Sequence, residues 1–200
     1  MQREEPSAST LQGRPIKPAV WDAWAREGRR PFDIGVEEMR FLVHHTSDRY
    51  GQIAVDAGCG IGRFSRRLRR LGYHVTGVDY SVLSLQLARA EGYGPHLRYL
   101  HADLEDGVPS GLPLHGVDLV VARTVVPFLT KPVEWLQQVR DLWLTPAGQV
   151  YLVVPIGREQ QPLQTGQMTR ADLETLCSGW QVERRDTGGL AQIILRPRTP

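Results

Sequence analysis

Cysteine is scarce. The 200 residues hold two, Cys59 and Cys177, too few and too far apart for a disulfide framework or a zinc site. The six histidines show no metal-ligand spacing. Lysine stands only at positions 17 and 131; arginine supplies the rest of 24 basic residues, and 22 acids leave a formal charge of +2. That balance gives nucleic acid or an anionic membrane no general attraction. No apolar run approaches the roughly 20 residues of a membrane span. The longest candidate, VDLVVARTVVPFL, is interrupted by Arg123. The opening MQREEPSAST lacks the basic-then-apolar pattern of a signal peptide. These absences leave a cytoplasmic protein without a structural metal as the expectation.

What is present is ordinary globular material: 41% hydrophobic and 23% charged residues, enough for one domain with a real core. Residues 1–18 are polar and read as a flexible tail, with a single domain over 19–200. Val20, Trp21 and Trp24 recur at helical spacing, as do Val36, Met39, Leu42 and Val43. Two helices therefore occupy 19–50, ahead of a core over 51–200. There, apolar strands QIAVDA, YHVTGVDY, HLRYLHAD, VDLVVAR and QVYLVVP are separated by helical or loop segments. Ser81 and Thr169 are candidate helix caps, and a helix is expected over 131–144, ended by Pro146 and Gly148. WQVERRDT and LAQIILRPR, split by Gly188 and Gly189, form an antiparallel hairpin. The alternation predicts an α/β fold with a mostly parallel sheet covered on both faces.

The chemistry is concentrated at VDAGCGIGRF, residues 55–64. The loop after the first strand of such a sheet is where ligands bind. Gly58, Gly60 and Gly62 let a ligand lie against the main chain, and a helix begins beside them. A P-loop would need Gly-Lys-Ser/Thr, where this chain has Arg63-Phe64. The dinucleotide fingerprint fits poorly, because Arg63 or Ser65 falls where its third glycine belongs; on the glycines alone it stays open.

The run Asp56-Ala57-Gly58-Cys59-Gly60-Ile61-Gly62 resembles motif I of the class I S-adenosylmethionine-dependent methyltransferases. Asp79 closes the second strand and Asp103 the third, and the terminal hairpin is similar to that family's reversed last strand. The resemblance covers about residue 35 to the end. It implies a Rossmann-like fold of seven strands, ordered 3-2-1-4-5-7-6, and S-adenosylmethionine as cofactor. It places Asp56 at the methionine ammonium, Asp79 with neighbouring Tyr80 at the ribose, Asp103 and Leu104 at the adenine, and the Arg123 carbonyl at the ammonium. Cys59 is expected only as a small residue under the cofactor. The bland alternatives are an acid capping the loop for Asp56, a helix cap for Asp79 and a turn acid for Asp103. TVVPFL and LCSGWQVERRDTGG look like the tellurite-resistance methyltransferases, a small-molecule branch.

Methyl transfer is an in-line displacement, which alignment can largely accomplish. No acid–histidine pair stands out as a general base. Arg123 and Thr124, after the fourth strand, are the catalytic candidates. The Arg123 side chain either takes an acidic acceptor or lies on the surface. Trp21, Trp24, Phe32 and Phe128 are candidate walls of an acceptor pocket, built from residues 15–35, 123–130 and 155–168. His44 and His45 read as a solvated or packed pair. Arg63, Arg66, Arg67, Arg69 and Arg70 read as a solvated helix face, with no nucleic acid partner. The expectation is a monomeric or homodimeric enzyme that methylates a small soluble acceptor, with natural-product N- or O-methylation as one specific role. A cofactor-binding module without turnover is the alternative.

Overall fold

The computed structural model of the chain describes residues 16–28, 32–46, 49–157 and 164–198. Most of the expected tail, residues 1–15, lies outside them. Two helices come first, α1 (Pro18–Arg26) and α2 (Val36–His45). Seven strands follow: β1 (Ile53–Ala57), β2 (His74–Asp79), β3 (Leu97–His101), β4 (Val117–Arg123), β5 (Leu144–Pro155), β6 (Trp180–Thr187) and β7 (Leu190–Pro197). They make one sheet in the order β3-β2-β1-β4-β5-β7-β6, as the resemblance implies. The first five are parallel, and β7 runs antiparallel between β5 and β6.

The central strands are buried on both faces, which is why they read as continuous apolar runs. Helices α2, α3 (Arg63–Arg70) and α4 (Val82–Ala90) cover one face, packing Leu42, Phe64, Leu68 and Leu85 with Ala54, Val121 and Tyr151. Helices α5 (Pro132–Gln138) and α6 (Arg170–Leu176) cover the other, where Trp135, Trp143 and Trp180 join Val120, Leu152 and Ile193. Truncating one of these buried indoles to alanine costs about 3–5 kcal/mol. Ser81 Oγ accepts the Ser84 amide at 3.0 Å. Thr169 caps α6, and Asp172 returns the bond to complete a capping box.

One element departs from expectation. The helix predicted over 131–144 stops at Gln138, and residues 139–143 form a π turn. Strand β5 then begins at Leu144, before Pro146 and Gly148. The wider turn rotates the face, so that Leu142 is 40% exposed while Trp143 is fully buried. Among the described residues no helix is long and apolar enough to cross a membrane.

Strand order reverses around β1, whose neighbours are β2 and β4. A crevice therefore opens beyond the carboxyl ends of these strands.

Candidate active site

The crevice is a cavity of about 370 Å³. Its floor is the loop after β1, where Gly58, Gly60 and Gly62 take φ of 69°, 51° and 73°. Their bareness has different causes. A Cβ at Gly58 would meet Val125 Cγ2 at 2.5 Å, and one at Gly62 would collide with the Tyr99 ring. One at Gly60 would meet nothing within 4 Å. Gly60 thus faces open cavity, whereas protein fills the space beside the other two. Gly62 starts α3 and does not line the cavity.

Two buried acids hold this floor. Asp79 Oδ2 accepts the Gly60 amide at 2.8 Å and Oδ1 the Ser81 amide at 2.8 Å. Burial pushes its carboxyl up, and the backbone amides oppose that. Asp56 takes the Ser65 hydroxyl at 2.5 Å. Burial, helped by nearby Asp79, pushes its carboxyl up to about 7, against the pull of that hydroxyl. Burial also raises the Cys59 thiol well above its usual range, so it is no ready nucleophile.

The next two strand ends form the side walls. Asp103 is exposed, and its Oδ1 accepts the Glu105 amide at 3.0 Å, as a turn acid does. Leu104 beside it is buried. Glu105 accepts the amides of Thr130 and Lys131 at 2.9 and 2.8 Å, fastening the loop after β3 to the start of α5. After β4, Thr124 sits at φ 58°, which a β-branched side chain rarely adopts. Its amide is held by the Val153 carbonyl at 2.7 Å.

The roof is α1 and the segment after it. At one end Tyr80 Oη donates to the Ile16 carbonyl and Ser81 Oγ to Asp22 Oδ1, both at 2.6 Å. At the other, Arg123 donates to the carbonyls of Phe32 and Asp33 at 3.3 and 3.0 Å. Between these anchors Trp21 meets Phe128 edge-on at 4.8 Å and Trp24 at 5.2 Å. All four predicted wall aromatics line the cavity.

Comparison with known proteins agrees with this geometry. A family model described as a methyltransferase domain matches residues 55–152. Over that segment, just under half of its length, the chain is similar to methyltransferases. It is 29% identical over 134 residues to a ubiquinone biosynthesis O-methyltransferase of Actinobacillus pleuropneumoniae serotype 5b, covering 60% of this chain and 57% of the relative. The chain spans about half the length of the curated relatives it matches. A TehB-like S-adenosylmethionine-dependent methyltransferase from Corynebacterium glutamicum shares the fold at a TM-score of 0.66 and 21% identity, over 91% of this chain and 100% of that one. The [4+2]-cyclase SpnF shares it at 0.73 and 14%, over 94% and 99%.

The class I methyltransferases that the glycine loop resembles use S-adenosylmethionine, and the open position at Gly60 beside Asp79 is a cradle that a side chain would fill. The fold brings most of the predicted residues to the cavity. Asp56, Gly58, Cys59, Gly60, Asp79, Tyr80, Asp103, Leu104, Arg123 and Thr124 all line the cavity. Three expectations need correction. The Arg123 side chain is neither free nor on the surface, because Glu38 takes Nε at 2.7 Å and Nη2 at 3.1 Å. Arg66 does not point into solvent; it holds the Ile61 carbonyl at 2.9 Å and pairs with Glu91. In the expected wall 155–168, residues 158–163 lie outside the described residues, and the described remainder does not line the cavity. His45 binds Glu183 at 2.7 Å on β6, and neither it nor His44 lines the cavity. Ile16 and Thr130 line it from within the expected walls 15–35 and 123–130, whereas Ser84 and Glu105 line it without having been singled out. Glu105 had a signal, since it follows Leu104 directly.

Proposed function

We propose that the chain is a methyltransferase that moves the methyl group of S-adenosylmethionine to a small-molecule acceptor. The observation that carries this is Gly60: open to the cavity and tied through its amide to Asp79. In this reading the glycine loop carries the methionine portion, with Asp56 and the Arg123 carbonyl near its ammonium. Asp79 and Tyr80 face the ribose. Asp103 and Leu104 face the adenine. When bound, the cofactor supplies an electrophilic methyl on a sulfonium. The chain's own part is alignment and exclusion of water, which orientation can make large. The roof anchored at Tyr80 and Arg123 closes the site, and Thr124 bounds its acceptor end. Relatives named for ubiquinone biosynthesis support a small acceptor.

Calorimetric titration with S-adenosylhomocysteine tests the reading. Binding is expected, and Asp79→Ala is expected to weaken it at least about 10-fold. Stabilisation by NADH and not by S-adenosylhomocysteine would overturn it.

A further inference from the structure

The loop under the cavity is gripped from two directions. The end of β2 holds its first half: the amides of Gly58 and Cys59 go to the Val78 carbonyl at 2.8 and 3.0 Å, and that of Gly60 goes to Asp79. The Gly62 amide turns back to the Cys59 carbonyl at 2.9 Å. Ile61, which lines the cavity, is held from α3. There Arg66 donates Nη1 to the Ile61 carbonyl at 2.9 Å, and Nη2 pairs with Glu91 just past α4.

This contact runs against local preference. Arg66 closes the first turn of α3, where the positive end of the helix disfavours a cation. Its side chain folds back over that end and is only 16% exposed, whereas Arg69 and Arg70 on the same helix lie in solvent. The neighbouring glycine gives the contact its purpose. Gly60 faces open cavity and has wide backbone freedom, so the peptide that follows it has no side chain to steady it. Asp79 fixes the amide of Gly60, and Arg66 fixes the carbonyl one residue on. A hydrogen bond from a cation is about twice as strong as one from a neutral donor. Between the two grips the Gly60–Ile61 peptide keeps one orientation toward the cavity.

We propose that Arg66 is a positioning residue for the cofactor: it holds the glycine loop in the shape that receives the methionine portion of S-adenosylmethionine. Arg66 does not itself line the cavity and acts through Ile61. This deepens the methyl-transfer reading above and rests on it. The competing account is a brace between α3 and α4, in which the ion pair with Glu91 is what counts.

The test is calorimetric titration of the full chain with S-adenosylhomocysteine, and displacement of that ligand by 5′-methylthioadenosine, which keeps the nucleoside and lacks the amino acid. Arg66→Met is expected to weaken S-adenosylhomocysteine at least about 10-fold and 5′-methylthioadenosine by less than about 3-fold. Glu91→Gln, which leaves Arg66 a neutral acceptor, is expected to change either ligand by less than about 3-fold. Arg66→Gln asks the same question should Arg66→Met not fold. Equal losses for the two ligands mean a general loosening and overturn the proposal. So does a loss under about 3-fold for S-adenosylhomocysteine, or a loss in Glu91→Gln that matches the one in Arg66→Met. Failure of S-adenosylhomocysteine to bind the unsubstituted chain takes down both readings. Unaltered binding in the Arg66 variants takes down the positioning role alone.

Discussion

Arg123 and Glu38 stand 85 positions apart and meet as a two-point ion pair, Nε to Oε1 at 2.7 Å and Nη2 to Oε2 at 3.1 Å. The Glu38 side chain is 3% exposed and that of Arg123 11%. The pair fastens α2 to the end of β4, and the same guanidinium holds the roof through Phe32 and Asp33. Removing one partner leaves the other buried and uncompensated, so Glu38→Leu is expected to cost about 3–5 kcal/mol in urea unfolding. Replacing both, with Arg123→Met added, is expected to recover part of that loss. A single substitution costing under about 1 kcal/mol would mean that the pair is solvated and incidental.

The glycine loop separates packing from ligand contact. Alanine at either position 58 or 60 meets the roughly 1–2 kcal/mol penalty of a left-handed backbone. Gly58→Ala adds a collision with Val125 and is expected to lower Tm further. Gly60→Ala has room and is expected to keep most of the fold while weakening S-adenosylhomocysteine at least about 10-fold. Thermal melting with and without the ligand reads both effects. Equal ligand affinities in the two variants would remove the distinction.

Asp79 and Asp103 are expected to differ in consequence. Asp79→Ala strips the acceptors from two amides, Gly60 and Ser81, and is expected to lower stability by about 1–3 kcal/mol as well as ligand affinity. Asp103 is exposed and holds one amide, so Asp103→Ala is expected to leave stability nearly unchanged. Urea unfolding of the two variants decides; a comparable loss in both contradicts the assignment.

Asp56 predicts a pH dependence. Its carboxyl is raised in the fold from 3.8 to about 7, chiefly by burial. Between these values the folded chain keeps a proton that the unfolded chain has released. The acid therefore makes stability fall as pH rises from about 4 to about 7, with no further change above that. Asp56→Asn removes this contribution. Melting curves across pH 4.5–8 are expected to show the unsubstituted protein losing ground to Asp56→Asn as pH rises. Parallel profiles would refute it.

The sheet was legible because its signals are local. Alternating apolar strands, the hairpin at Gly188-Gly189 and the caps at Ser81 and Thr169 each reside in a few adjacent residues. Part of the cavity lining was legible for the same reason: Gly58, Gly60 and Asp79 of the floor and Asp103 of the side wall all stand at strand ends. What was hidden depends on distant partners. Nothing near Arg123 announces Glu38, and nothing near Tyr80 announces the Ile16 carbonyl. The π turn at 139–143 was equally hidden, because apolar spacing registers a stripe and not the width of the turn that carries it. Thr124 shows the same limit, since its left-handed backbone is imposed by surrounding structure and not by a threonine's preference.

Glu105 has a mechanical consequence. Its two carboxylate oxygens clasp the first amides of the turn entering α5, while its own amide rests on Asp103. The corner bearing Leu104 and the wall bearing Phe128 are thereby linked in series around one rim. One side chain thus fixes the spacing between the two sides of that rim.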